Sequence, residues 1–175
     1  MNSQEVLSQI IKGRRSRFPR DYNGEPIDPE VLKEILDSAN YAPNHKRTRP
    51  WRFQVFQGEE KIKMGERLAE VYKEITNPQV FLEKKYKDIS NKWAQSDAVV
   101  SIVVNYSGLV PQWEEIAAVA MAVQNMYLTA SAAGVGAYWS SPALKDHMGP
   151  ELKMEENQYC LGFFFMGSLS KPETV

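Results

Sequence analysis

Two clusters near the N-terminus gather most of the side chains able to hold a small anion. The first is Arg14-Arg15-Ser16-Arg17. The second, roughly thirty residues later, is Ala42-Pro43-Asn44-His45-Lys46-Arg47-Thr48-Arg49-Pro50-Trp51. Guanidinium forks and a hydroxyl suit a phosphate, because paired N–H donors match its oxygens two at a time. His45 adds a group that can hydrogen-bond a planar heterocycle or an anion, and its charge changes near neutral pH. The plain alternatives are an exposed basic turn and a solvated loop histidine without a carboxylate partner. Should the clusters meet in space, they form a phosphate site beside an aromatic-lined slot.

The flanking periodicity places both clusters at element ends. Val6, Leu7, Ile10 and Ile11 follow helical spacing and Gly13 caps the segment, so the arginines lie just past a short helix. Asp28-Pro29-Glu30 opens a second helix, with Val31, Leu32, Ile35, Leu36 and Ala39 as its apolar face. Pro43 stops that helix, which leaves Asn44 to Arg49 as a loop before a strand at Trp51 to Phe56. Glu59 to Ile75 reads as an amphipathic helix with Ile62, Leu68, Val71 and Tyr72 turned inward. Val80 to Trp93 reads as another helix. Ala98 to Val104 is a continuous apolar run suited to a central strand. Trp113 to Ala133 reads as a long buried helix, with Met121, Met126 and Tyr127 in the core. Gly134 to Trp139 forms a turn and short strand, and Tyr159 to Gly167 the last strand. Helices and strands mix without βαβ alternation. The expected class is α+β, with one sheet carrying packed helices in a single domain spanning residues 1–175.

Composition narrows the function classes. A net charge of −1 argues against a general nucleic-acid surface and makes the two basic clusters local features. Cys160 is the lone cysteine, so an internal disulfide is impossible, and with two histidines a zinc finger is excluded. The N-terminus lacks the pattern of a signal peptide, and the most apolar segment carries Gln124, Asn125, Thr129 and Ser131. A cytoplasmic protein without a membrane span is therefore expected. Gly134-x-Gly136 lacks a third glycine and leads out of a helix, which disfavours a dinucleotide-binding turn. Trp139-Ser140-Ser141 can still line a ligand site. Glu114 and Glu115 sit where a helix N-terminus favours carboxylates.

Taken in order, four stretches resemble the nitroreductase family, in particular its small, minimal branch. They are Arg14-Arg15-Ser16, Ala42-Pro43-Asn44-His45-Lys46 through Phe53, Pro111-Gln112-Trp113-Glu114-Glu115, and Gly134-Val135-Gly136-Ala137-Tyr138-Trp139. The resemblance implies an α+β homodimer, with a central, mostly antiparallel sheet flanked by helices and FMN at the subunit interface. It assigns Arg14, Arg15 and Ser16 to the flavin phosphate and polar edge. Tyr41 and His45 would come from the other subunit, and Trp139, Ser140 and Ser141 would form the third flavin-contacting segment. No catalytic side chain or metal is implied, because the flavin carries hydride from NAD(P)H to a nitroaromatic, quinone or related acceptor in ping-pong fashion. A flavin-binding protein with little turnover is the alternative. The chain departs from the family pattern at Phe18, Tyr41 and Ser140, each standing where relatives carry a basic residue. Lys171 is the candidate for the basic C-terminal phosphate contact of longer relatives.

Overall fold

A computed structural model describes residues 2–170; Lys171 lies outside them. A sheet of four strands carries helices on both faces. The strands are β1 (Trp51–Phe56), β2 (Ala98–Asn105), β3 (Val135–Ser140) and β4 (Gln158–Ser168), in the order β1-β2-β4-β3 with every pairing antiparallel. The expected α+β class and antiparallel sheet are thus what the chain adopts. The helices are α1 (Ser3–Gly13), α2 (Pro29–Ser38), α3 (Gly58–Ile75), α4 (Glu83–Gln95) and α5 (Gln112–Ala132).

Local chemistry explains the helix starts. Asn2 and Glu5 form a reciprocal capping box on α1, and the Asp28 side chain accepts the Glu30 N–H ahead of Pro29 in α2. The central strand β2 is covered on both faces, which is why its sequence shows no polar alternation. Val100, Ile102 and Val104 face α2 and α5, packed with Ile35, Val119, Ala122, Val123, Met126 and Phe164. Val99 and Val103 face α3 and α4 with Phe56, Leu68 and Phe165. Trp93 anchors that second layer, edge-on to Phe56, Phe163 and Phe165 at 5.3–5.7 Å between ring centres.

Several expectations fail at surfaces. Residues 78–80 form only a short 3-10 turn, and α4 starts at Glu83. Ile62 and Met121, expected inside, are 37% and 40% exposed. On α3 it is Lys61 that goes under; its ammonium donates to the Ser96 carbonyl, satisfying an orphan carbonyl just past the α4 end. The long helix α5 is only half buried. Glu115, Val119, Val123 and Met126 point inward, while Trp113, Ile116 and Met121 form an exposed apolar stripe on the other side. The apolar face of α1 is likewise uncovered, and none of its residues is buried.

Glycines adjust the sheet for its neighbours. A Cβ on Gly136 would lie 2.8 Å from the Tyr22 ring, and one on Gly167 at 2.3 Å. Tyr22 therefore lies flat against β3 and β4. This close packing accounts for Gly136 without any dinucleotide role. In β4 the register shifts opposite Ile102 and Val103, leaving Leu161 as the extra residue of a β-bulge.

Candidate functional site

The segment after α1 runs along the free edge of β3. Arg17 donates its backbone N–H to the Ala137 carbonyl at 3.0 Å, as a further strand would. Side chains from this segment reach both faces of the sheet. On the α5 side, the Arg14 guanidinium sits 5.1 Å from the centre of the Tyr127 ring, and the Ser16 and Tyr127 hydroxyls are 3.5 Å apart. On the α4 side, Phe18 packs on Tyr138 with ring centres 4.9 Å apart. Phe18 thus packs one face of its ring on the sheet and remains 41% exposed.

Tyr127 joins two of the sequence clusters. Its hydroxyl accepts the Trp139 backbone N–H at 2.6 Å, on the edge of β3 that has no partner strand. Arg14, Ser16 and Trp139 therefore converge on one residue. Periodicity alone assigns Tyr127 to the core. An apolar helix offers no signal that one hydroxyl will meet a strand edge. Trp139 is oriented further by its indole N–H, which donates to the bulged Leu161 carbonyl at 3.1 Å. Ser140 ends β3 half-buried, and Ser141 is exposed just beyond it.

Beside this junction lies a polar cavity of about 180 Å³ lined by Arg15, Arg17, Tyr127 and Ser131. One Arg15 nitrogen is occupied by the carbonyls of Lys12 and Arg14 at 2.7 and 2.9 Å, which ties the side chain to the end of α1. Arg17 makes no such side-chain bond among the described residues, so it supplements Arg15 in this cavity. A larger groove of about 430 Å³ opens on the other side, between Phe18, Arg20 and the α4 residues Asp88 and Lys92. Under it, the Tyr138 hydroxyl is buried and has no hydrogen-bond partner among the described residues. Burial also pushes the Tyr138 phenol up from its usual pKa.

His45 is elsewhere. It opens a 3-10 turn, His45–Arg47, packed at the opposite end of α5. Its Nδ1 lies 2.7 Å from the Glu114 carboxylate, so the loop histidine does have an acidic partner, 69 residues away in the chain. Glu114 does more than complement the helix dipole, and so does Glu115. The latter is buried, and its carboxylate accepts the Ser107 N–H at 3.1 Å. Tyr41 stands out from the 39–41 turn, 85% exposed. Glu114 and Tyr127 are separated by thirteen helical residues, which is about 20 Å along α5. One chain therefore brings together the Arg14 and Trp139 clusters but not the His45 loop.

A model described as the Nitroreductase family matches residues 11–168 of the chain. The chain belongs to the nitroreductase family. Among its relatives is YfhC of Bacillus subtilis (strain 168), whose name assigns it provisionally to the NAD(P)H nitroreductases. It is 29% identical over 143 residues, covering 81% of this nitroreductase-family chain and 72% of YfhC. A similarly named protein, YdjA of Escherichia coli (strain K12), is 27% identical over 143 residues, with coverage of 79% and 76%. Among solved structures, a nitroreductase-like family protein from Bacillus cereus superposes with a TM-score of 0.81 at 26% identity, covering 100% of this chain and 92% of that one. The FMN-dependent nitroreductase NfnB from Mycobacterium smegmatis, solved with NADPH, gives 0.77 at 16% identity, with coverage of 97% and 90%. The second match speaks to the shared nitroreductase fold.

Proposed function

We propose that this chain is an FMN-dependent oxidoreductase of the nitroreductase type, taking hydride from NAD(P)H and reducing a nitroaromatic, quinone or related acceptor in a ping-pong cycle. The donor set fits the cofactor's phosphate. Two guanidiniums and two hydroxyls, from Arg15, Arg17, Tyr127 and Ser131, line one small polar cavity. Arg15 and Arg17 would hold the phosphate. Arg14 and Ser16, steadied by Tyr127, would meet the cofactor's polar edge beside Trp139, Ser140 and Ser141. When bound, the flavin supplies the hydride chemistry, while the protein supplies binding, orientation and a dry face.

The observation that carries the reading is the separation along α5. One end of the helix holds Arg14, Ser16 and Trp139, and the other holds His45. An incomplete site in one chain calls for a second. The uncovered apolar faces of α1 and α5 supply the surface, with Val6, Leu7, Ile11, Trp113, Ile116 and Met121 exposed. A twofold axis crossing α5 would set two copies of the helix antiparallel, bringing the His45 end of one to the Tyr127 end of the other. The site would then be a homodimer's, with two equivalent copies. The one cysteine, reduced and buried, agrees with a cytoplasmic setting.

The purified protein is expected to be a yellow dimer whose flavin absorbance bleaches on addition of NAD(P)H without oxygen and returns with a quinone or nitroaromatic. A colourless protein that takes up no added FMN would sink the proposal. A yellow protein that does not bleach would instead be a flavin-binding protein with little turnover.

A further inference from the structure

The contact between His45 and Glu114 links a strained loop to the first turn of α5. Both ends of it are built. Glu114 is fixed in the helix, where its N–H donates to the Pro111 carbonyl at 3.0 Å. The loop carries three non-glycine residues in the left-handed region, Lys46, Arg47 and Arg49, with φ of 50°, 55° and 43°. Its shape is held by the Asn44 side chain, which accepts the Arg49 N–H at 3.0 Å and donates to the Ala42 carbonyl at 3.2 Å. Lys46 adds a bond from its ammonium to the Leu109 carbonyl at 3.0 Å. Three such residues persist only because these bonds over-determine the loop.

We infer that Glu114 is a positioning residue, which pins a hydrogen on His45 Nδ1 and leaves Nε2 as the nitrogen offered to the ligand. An ionised carboxylate accepts and never donates. At 2.7 Å from Glu114, His45 Nδ1 therefore carries the hydrogen whether the imidazole is neutral or charged. Only Nε2 can then gain or lose a proton. In the neutral ring Nε2 is an acceptor, matched to a ligand N–H or hydroxyl. In the charged ring it is a donor, matched to a carbonyl or ring nitrogen. The His45 side chain is 58% exposed against 24% for Glu114, so the imidazole stands outward from a sheltered carboxylate. The inference rests on the flavin reading for the identity of that ligand.

The chain contains two histidines, His45 and His147, so long-range proton–nitrogen spectra of histidine-labelled protein resolve the tautomer directly. A His45→Gln variant assigns the signals. In its neutral form, His45 is expected to carry its proton on Nδ1, the form a free neutral imidazole disfavours. Glu114→Gln keeps an acceptor oxygen and should keep that tautomer. Glu114→Ala should lose it and weaken FMN binding about tenfold. Glu114→Ala added to His45→Ala should cost nothing further, since Glu114 acts through the imidazole. A proton on Nε2 in the parent, an unchanged tautomer in Glu114→Ala, or additive losses in the double variant would each overturn the inference. Should the parent take up no FMN at all, the flavin reading fails and the ligand half of the inference goes with it. The tautomer of His45 still decides whether Glu114 positions it.

Discussion

The Tyr127 hydroxyl accepts the backbone N–H of Trp139 at 2.6 Å, tying α5 to the open edge of β3. The same hydroxyl faces Ser16, and the ring lies under Arg14. Tyr127→Phe keeps the ring but strands a half-buried amide. Stability should fall by about 1–2 kcal/mol in urea unfolding. FMN affinity should fall severalfold, as the segment from Trp139 to Ser141 loosens. Unchanged stability would show that Trp139 finds another acceptor.

Arg17 is the test of the phosphate cavity. It lines that space with Arg15, and its backbone bond to Ala137 does not need the side chain. Arg17→Ala should leave the melting temperature nearly unchanged and weaken FMN binding at least tenfold, because a charged pair of bonds is lost. Riboflavin, which has no phosphate, should bind parent and variant alike. Equal loss for both ligands would move the phosphate elsewhere.

Gly162 follows the bulge at φ 132°, a conformation that side chains rarely adopt. A Cβ there would lie 2.2 Å from the Ser140 carbonyl and 2.8 Å from the Trp139 indole nitrogen. Gly162→Ala should cost about 3 kcal/mol or more, read from thermal or urea unfolding. A loss below about 1 kcal/mol would mean that the bulge re-forms at another residue.

Cys160 makes stability fall in alkali. Burial pushes its thiol from 9.0 up to about 11. Between those values the unfolded chain has released a proton that the folded chain keeps. Stability from this group is therefore whole below pH 9 and is lost as pH rises toward 11, by on the order of 2–3 kcal/mol. Tyr22 and Tyr138, also raised by burial, add to the fall. Lys61 opposes it, since burial lowers its pKa and the folded state gains as the ammonium deprotonates. Comparing Cys160→Ala with the parent cancels those other groups. The variant should lose less stability across this window, and parallel curves would refute the assignment.

Much of the fold was legible because its cues are local. Asp28-Pro29 starts a helix, and the β-branched apolar run at Ala98 to Val104 suits a strand covered on both sides. Apolar spacing misled at Ile62 and Met121, whereas at α1 it located the helix correctly. Periodicity reports which face is apolar, but not whether this chain or another covers it. Lys61 and Glu115 were unreadable as buried groups, because each depends on a backbone partner in a separate segment.

For the candidate site, the inventory is readable from the chain: the Arg14 cluster, the His45 loop, the Trp139 segment, and family membership through their order. Their grouping comes from the folded arrangement. Tyr127 draws the first and third together, Glu114 takes the second, and α5 holds the two groups about 20 Å apart. A helix is a rigid spacer whose length is written locally, whereas the partners at its two ends come from other segments, 12 to 111 residues away. Hydrogen bonds between such distant groups leave no periodic trace in the chain.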